Sequence, residues 1–308
     1  MPVQMSMPRL ALANLVANVG IVVTGGLVRL TGSGLGCPTW PQCTSGSYVP
    51  TEALAGHGRI EFTNRMLTFV LAAVTVATLV AATRATPRRP ALVRLATVVL
   101  LGIPAQAVLG GITVLTGLNP WTVMAHFLLS AAIIGVAFVL WLRSREETDG
   151  PTVPVVREPL PLAGRLAAAA AGLSLMLGTV VTGSGPHAGD PKAGRTGFDP
   201  QNVAQLHVDV VLLLVGLTIG VWIGLVATDA PKAPRSAVTW LLAAEVAQAA
   251  VGFVQYFTHL PVPLVTLHML GACLVWIAAL RLPLAMRSRD AATDRDPGPV
   301  AAARAVPA

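Results

Sequence analysis

Eight apolar segments, each long enough to cross a bilayer, constrain this chain more than any other feature. The 308 residues are 54% hydrophobic and only 11% charged, and a membrane-spanning helix needs roughly 20 mostly apolar residues. A lone strand in lipid would leave its backbone groups unpaired, so each segment is expected to be a helix. The sequence therefore predicts an all-α integral membrane protein with spans at 9–30, 61–83, 92–116, 120–143, 162–182, 206–228, 236–257 and 262–286.

The basic residues lie mostly on one side of these spans. With the N-terminus placed inside, 16 of the 21 Lys and Arg residues fall in inside segments. The positive-inside rule then predicts a multi-pass protein of the cell (plasma) membrane with both termini cytoplasmic. The same rule accounts for the net charge of +7, so nucleic-acid binding is not expected.

Polar residues recur between the two halves of the chain. The sequence Thr-Gly-Ser-Gly occurs at 31–34 and again at 182–185, and "QAVLGGITVLTGL" from Gln106 aligns with "QAAVGFVQYFTHL" from Gln248. Apolar composition alone does not produce such matches. Four helices per half give both halves the same orientation, which predicts a parallel internal repeat.

The repeat divides the chain into two pseudo-symmetric four-helix bundles. The predicted units are an N-terminal bundle over 1–146, a cytoplasmic linker over 147–161, a C-terminal bundle over 162–286 and a disordered cytoplasmic tail over 287–308.

Two histidines of the second half are candidate metal ligands. His207 lies at the outer start of the sixth predicted span, and His268 lies about two turns into the eighth. Two imidazoles facing each other across a bundle can ligate both faces of a heme. Zinc is disfavoured because no third or fourth ligand converges. Histidines that only bond neighbouring helices, or that relay protons, are the alternatives.

The first half carries a different set of residues at the matching positions. His126 corresponds to His268, but Asn64 corresponds to His207. Asn is a poor iron ligand, so this pocket is expected to hold a substrate more loosely than a fixed cofactor. Glu61 lies on nearly the same helix face as Asn64. It either favours the helix N-terminus, or acts as a base or as a stabiliser of positive charge on a reacting carbon. His57 is a candidate substitute ligand, with a loop role as the alternative.

Other candidates lie near the outer ends of the first two spans. Arg29 and Arg65 are expected to pair with heme propionates, with Glu61 or with lipid phosphate. Cys37 and Cys43 lie six residues apart in an outer loop, where the compartment permits disulfides. A structural or redox-active disulfide is favoured over two free thiols or a transient metal site.

These residues together resemble the heme A synthase family, membrane enzymes that make heme A from heme O for cytochrome oxidases. The resemblance rests on "GGLVRLTGSGLGCPTWPQC", on "IEFTNRM" and on the contexts of His126, His207 and His268, and it covers roughly 9–286. It implies eight helices in two pseudo-symmetric bundles, heme b held by His207 and His268, and heme O bound in the N-terminal bundle.

The resemblance also implies roles for single residues. Glu61 matches the essential carboxylate of the family, and the cysteine pair matches the disulfide of members with a cysteine pair in the first outer loop. Many members carry a histidine where this chain has Asn64. His126 is therefore the expected contact with the iron of the substrate.

The expected activity follows from this resemblance. The chain is predicted to be an oxidoreductase acting on a CH3 group, which oxidises the C8 methyl of heme O to a formyl group with water-derived oxygen and heme b as electron relay. Expected partners are the lipid bilayer, a heme O synthase and a quinone or other electron acceptor, and a homo-oligomer is compatible with the sequence. The alternatives are a heme b electron carrier to quinone and a heme transporter.

Overall fold

A computed structural model describes residues 6–51 and 54–289, and helices dominate this part of the chain. Each of its eight helices is long and apolar enough to cross a membrane, which confirms the predicted all-α, multi-pass membrane fold. The helices are α1 Met7–Leu30, α2 Ala55–Thr83, α3 Pro90–Leu115, α4 Pro120–Ser144, α5 Leu160–Ser184, α6 Pro200–Ala227, α7 Lys232–Phe257 and α8 Val262–Ala285.

Local sequence sets where the helices begin. Pro lies in the first turn of α1, α3, α4, α5, α6 and α8, where its missing N–H has no helical partner to lose. The side chain of Asp199 caps α6 by accepting from the Asn202 N–H. His207 therefore lies seven residues after the first residue of α6, so its predicted position at the outer start of the sixth span is wrong.

The helices pack as two rings of four. In the first ring α1 contacts α2, α2 contacts α3, α3 contacts α4, and α4 returns to α1; α5 to α8 repeat this order in the second ring. Within each ring the first and third helices, and the second and fourth, are diagonal partners. Side chains on α2 and α4, or on α6 and α8, therefore approach one another across the middle of a bundle.

The two rings meet through α1, α4, α5 and α8. The indole N–H of Trp276 on α8 donates to the Ala131 carbonyl on α4 at 2.9 Å. A side chain at Gly26 on α1 would overlap the Met269 side chain on α8. The small residue at Gly26 thus lets α1 and α8 approach closely next to His268.

The two Thr-Gly-Ser-Gly copies adopt different local structures. In the first, α1 ends at Leu30, Gly32 has a φ of +67°, and the Ser33 N–H donates back to the Val28 carbonyl at 2.8 Å. This is a helix C-cap in which glycine supplies the left-handed residue. In the second, α5 continues to Ser184. Equal sequence therefore does not give equal backbone here, because the surrounding contacts differ.

A polar cluster joins the two halves at the end of the bundles opposite the cysteine loop. Asp149 accepts from Arg89 Nε at 2.7 Å, from the Ala91 N–H at 3.0 Å and from Arg143 Nη2 at 3.0 Å. Arg289 pairs with Glu146 at 2.8 Å and also donates to the Gly150 carbonyl.

Two short strands lie beside this cluster. β1, Val153–Pro154, pairs antiparallel with β2, Arg287–Ser288. The beginning of the predicted disordered tail is thus held against the predicted linker, and residues 290–308 lie outside the described residues.

We predict that Asp149→Asn lowers the free energy of unfolding by about 1–2 kcal/mol, because charged hydrogen bonds of a partly exposed group are lost. Burial would raise the pKa of Asp149, but the hydrogen bonds from Arg89, the Ala91 N–H and Arg143 lower it overall. This stabilisation is therefore present above the ordinary carboxyl pKa of about 3.9. It is lost as pH falls through the lowered native value.

The measurement is denaturation in mild detergent as a function of pH. Asp229→Asn is the control, because Asp229 is an exposed loop residue and its φ of +48° also suits Asn. Equal stability of the Asp149 and Asp229 variants at neutral pH would contradict the prediction.

Candidate functional site

The four candidate ligand positions lie at a common depth. Each follows the first residue of its helix by six to nine residues, at Asn64, His126, His207 and His268. At 1.5 Å rise per residue this is roughly 9–14 Å along the helix axis. These four helices begin at the same end of the bundles, which is also the end that carries the cysteine loop. Two diagonal pairs result, Asn64 with His126 and His207 with His268.

A glycine on a neighbouring helix faces each imidazole ring. A Cβ atom at Gly110, Gly178 or Gly252 would lie 3.1, 3.4 or 3.2 Å from Cε1 of the facing ring, on His126, His207 and His268 respectively. Such distances are close for a real side chain, so glycine keeps space free beside each ring. The sequence comparison finds Gly110 and Gly252 as a matched pair, but it misses Gly178.

The backbone of two of these histidines is held in the same way. Gln106 Nε2 donates to the His126 carbonyl at 3.1 Å, and Gln248 Nε2 donates to the His268 carbonyl at 2.8 Å. In each bundle the third helix thus fixes the fourth at the level of its histidine. These contacts join residues that the sequence alignment pairs at a constant offset.

The rings themselves have unpaired polar atoms. Within the described part of the chain, Nδ1 of His126, His207 and His268 is buried without a hydrogen-bond partner. The Ser174 backbone lies within hydrogen-bonding range of the His207 ring, although Nδ1 itself has no partner of adequate geometry. A buried polar group without a partner costs about 1–3 kcal/mol. Imidazoles left in this state are typical of residues that bind a ligand.

The donor set fits a porphyrin better than a bare ion. No group of three or more His, Cys, Asp or Glu side chains within residues 6–51 and 54–289 could hold a metal ion. Heme iron needs only axial ligands, and neutral imidazole is one of its commonest. His207 on α6 and His268 on α8 lie at similar depth on diagonal helices of one bundle. These two residues therefore fit an axial pair.

Glu61 is built into the cysteine loop. Its Oε2 accepts from the Cys37 N–H at 2.7 Å, and its Oε1 accepts from Arg65 Nη2 at 2.5 Å and from Arg65 Nε at 3.1 Å. The residue is only 6% exposed. Both carboxylate oxygens thus have donors, so the side chain is held in one orientation one turn before Asn64.

Arg65 attaches the loop to α2. Besides Glu61, its guanidinium donates to the carbonyls of Cys37, Thr39 and Gln42 at 3.1–3.3 Å. The donors of Arg65 are thereby committed to Glu61 and the loop, which matches one of the alternatives predicted for this residue. Its pairing with a propionate is not supported by these contacts.

The disulfide between Cys37 and Cys43 is present, as the sequence predicts. Both cysteines are buried, and the loop between them carries Trp40 onto α3, where a side chain at Gly111 would overlap the indole ring. Gly111 follows Gly110, which faces His126. The loop therefore spans from Glu61 on α2 to the helix that borders the His126 ring.

Arg29 and His57 have contacts of their own at this end of the bundles. Arg29 donates to the His187 carbonyl at 2.6 Å and to the Thr182 carbonyl at 3.1 Å, which ties α1 to the other half. The exposed His57 contacts Ser33 Oγ through Nδ1 at 2.8 Å. Arg195, which the sequence does not single out, is close enough to act electrostatically on Arg29.

Comparisons with known proteins agree with this arrangement. A family profile described as cytochrome oxidase assembly protein matches residues 8–280. The heme A synthase of Geobacillus thermodenitrificans is 30% identical over 146 residues, which are 47% of this chain and 42% of that protein. The heme A synthase of Geobacillus kaustophilus (strain HTA426) is 29% identical over 131 residues, 42% of this chain and 40% of that protein. The chain thus matches less than half the length of these curated relatives.

We predict that Arg65→Ala speeds reduction of the Cys37–Cys43 disulfide by a mild thiol reagent roughly 10- to 100-fold. The buried sulfurs react only when the loop opens, and the lost charged hydrogen bonds, about 1.5–3 kcal/mol net, favour opening. Reduction is followed by alkylation with a bulky maleimide and gel mobility. Arg59→Ala is the control because Arg59 is exposed on the same helix. Equal reduction rates for both variants and the unmodified protein would contradict the prediction that Arg65 holds the cysteine loop closed.

Proposed function

We propose that this chain, which belongs to the cytochrome oxidase assembly protein family, is an enzyme that converts heme O to heme A. The observation that carries the proposal is the asymmetry of its two diagonal pairs. One bundle presents two glycine-faced imidazoles, and the other presents one such imidazole opposite an asparagine, beside a fixed carboxylate. The names of the two curated relatives support the same activity.

The two bundles are proposed to be copies of one ancestral unit. In support, Gln106 and Gln248 make the same bond to the backbone of a histidine one helix away. A Cβ atom at Gly110 or at Gly252 would lie nearest the same ring atom, Cε1, of that histidine. The predicted units 1–146 and 162–286 follow from this assignment. The cell-membrane location and the cytoplasmic termini stay predictions from the distribution of Arg and Lys.

In the C-terminal bundle, His207 and His268 would be the axial ligands of heme b. When bound, this cofactor supplies one-electron oxidation and reduction within the membrane. Arg29 and Arg195 lie at the same end of the molecule and carry no carboxylate partner among the described ion pairs. We assign both guanidinium groups to propionate recognition. Arg195, which was not predicted, is included because it lies near Arg29.

In the N-terminal bundle, His126 would hold the iron of the substrate heme O. Asn64 does not replace the missing second histidine, because its Oδ1 already accepts from Thr24 Oγ1 at 2.7 Å. His57 contacts Ser33 and is exposed. We therefore assign it a role in holding the loop rather than in binding the iron. One axial ligand suits a porphyrin that has to leave after the reaction.

Glu61 would act on the carbon that is oxidised. Removing electrons from the C8 methyl generates positive charge, and a preoriented carboxylate stabilises such charge in the low-dielectric interior of the bundle. Arg65 and the Cys37 N–H hold the carboxylate in one orientation. Little free energy is therefore needed to orient it when the positive charge develops. Water then supplies the oxygen in two successive oxidations, which release electrons and protons. A quinone or other acceptor takes the electrons, and a heme O synthase is the expected source of substrate.

We predict that Glu61→Ala abolishes heme A formation while heme O still binds, because the variant lacks the charge that stabilises the oxidised carbon. His126→Ala should instead lose most of the bound heme O. Hemes extracted from purified protein are identified by chromatography, with Arg59→Ala as the unaffected control. Heme b without any heme O or heme A in every sample would favour the electron carrier, and the absence of all heme would favour the heme transporter. Unchanged heme A output from Glu61→Ala would remove Glu61 from this role.

We predict that Gly252→Val reduces occupancy of the bis-histidine site at least tenfold, because its side chain meets the His268 ring. The readout is the low-spin absorption spectrum of the purified protein, normalised to protein concentration. Gly216→Val is the matched control, since nothing lies within 4 Å of a Cβ atom at Gly216 on α6. Identical spectra from the two variants would argue against ligation by His268.

A further inference from the structure

Glu245 is a buried carboxyl group for which the proposed reaction has no use. It lies near the middle of α7, Lys232–Phe257, and is 3% exposed. Its Oε1 accepts from Thr218 Oγ1 on α6 at 2.8 Å, and its Oε2 is buried without a partner among the described residues. Ionisable residues inside a membrane bundle are costly and usually functional.

No cation offsets this carboxyl group. None of the ion pairs of the described residues includes Glu245. The elements packed against α7 are α6 and α8, and across the bundle α5 carries Arg165, which is exposed and pairs with Glu158. The titratable or charged side chains on α6, α7 and α8 are His207, Asp209, Lys232, Arg235, Tyr256, His268, Cys273 and Arg281.

Glu245 lies below the level of the two histidines. Gly252, seven residues further along α7, faces the His268 ring, so Glu245 lies two helical turns, roughly 10 Å, deeper. Gln248 lies between these levels on nearly the same face as Glu245 and bonds the His268 carbonyl. The carboxyl group is thus within electrostatic range of the site without touching either ligand.

The first bundle has no counterpart of this residue. At the constant offset of 142 residues, Glu245 aligns with Ile103, whereas Gln248 aligns with Gln106. Thr218 aligns with Thr75 at the offset of 143 that pairs Asn64 with His207, and Thr75 accepts from Asn14 instead. Only the bundle with two histidines therefore carries a buried carboxyl group at this level.

We propose that Glu245 is a proton-binding site that compensates the charge of an electron on the bis-histidine iron. This inference rests on the heme b site of the proposed function. With heme b held by His207 and His268, its one-electron reduction would be accompanied by the uptake of one proton at the Glu245 carboxylate, which would become a carboxylic acid. When the electron leaves to the quinone-class acceptor, the proton is released. The net charge inside the low-dielectric bundle then stays constant through each transfer.

The first test follows the proton without any heme. In apoprotein reconstituted in lipid nanodiscs, no cation offsets the carboxylate, so Glu245 is expected to hold its proton at neutral pH. The infrared spectrum should contain the C=O band of a protonated carboxylic acid that is absent from Glu245→Gln and from Glu245→Ile, the residue of the first bundle. Thr218→Val should shift this band, and the matched Thr75→Val should not. A band that persists unchanged in both Glu245 variants overturns the assignment.

The second test measures whether proton binding at Glu245 is coupled to the oxidation state of the iron. The midpoint potential of bound heme b is titrated with redox mediators at several pH values. It should fall as pH rises, by up to about 59 mV per tenfold change in proton concentration, and this dependence should disappear in both Glu245 variants but persist in Thr75→Val. An unchanged dependence in the Glu245 variants overturns the link. A protein that binds no heme b would contradict the proposed function and the link together, while the infrared band would still report the proton on Glu245.

Discussion

A polar group inside a membrane bundle has only the bundle itself to bond with, and this constraint organises the rest of the structure. Backbone groups meet it by forming helices. Buried side chains meet it in pairs, as Asn14 does with Thr75 and as Asn18 does with Asn14. Against this background the unpaired Nδ1 atoms of three histidines stand out. Their positions at one depth, each beside a glycine, are the observations on which the proposed porphyrin ligation rests.

The cysteine loop extends the same constraint to the end of the molecule. Glu61 is buried, and its oxygens accept from Arg65 and from the Cys37 N–H of the loop. Opening the loop therefore removes donors from Glu61 as well as exposing the disulfide. Loop order and the orientation of the proposed catalytic carboxylate are thus one structural property, and a redox change at the disulfide would act on both.

Periodic and positional signals in the sequence are sufficient for the fold and for most of the site. Length and apolarity give the eight helices, and matched polar residues give Gln106, His126 and their counterparts. The starts of α2 and α6 are missed because their first turns, "AGHGRI" and "PQNVAQ", are not apolar. The role of Arg65 is ambiguous in sequence because a guanidinium at an outer helix end has several plausible partners, and only the loop geometry distinguishes them. Gly178 is missed because no aligned residue marks it.

Glu245 illustrates a different limit of sequence reasoning. One acidic residue in "LLAAEVAQAA" hardly changes the hydropathy of a span, so the span is predicted correctly while the residue is overlooked. Its significance depends on Thr218 from another helix and on the absence of any cation nearby, which are tertiary facts. Alignment of the two halves shows that the bundles differ at this position, since Ile103 occupies it in the first bundle. In the proposed function, the bundle with two histidines is the one that would hold an electron and its negative charge. The buried carboxyl group is therefore found where that charge would arise.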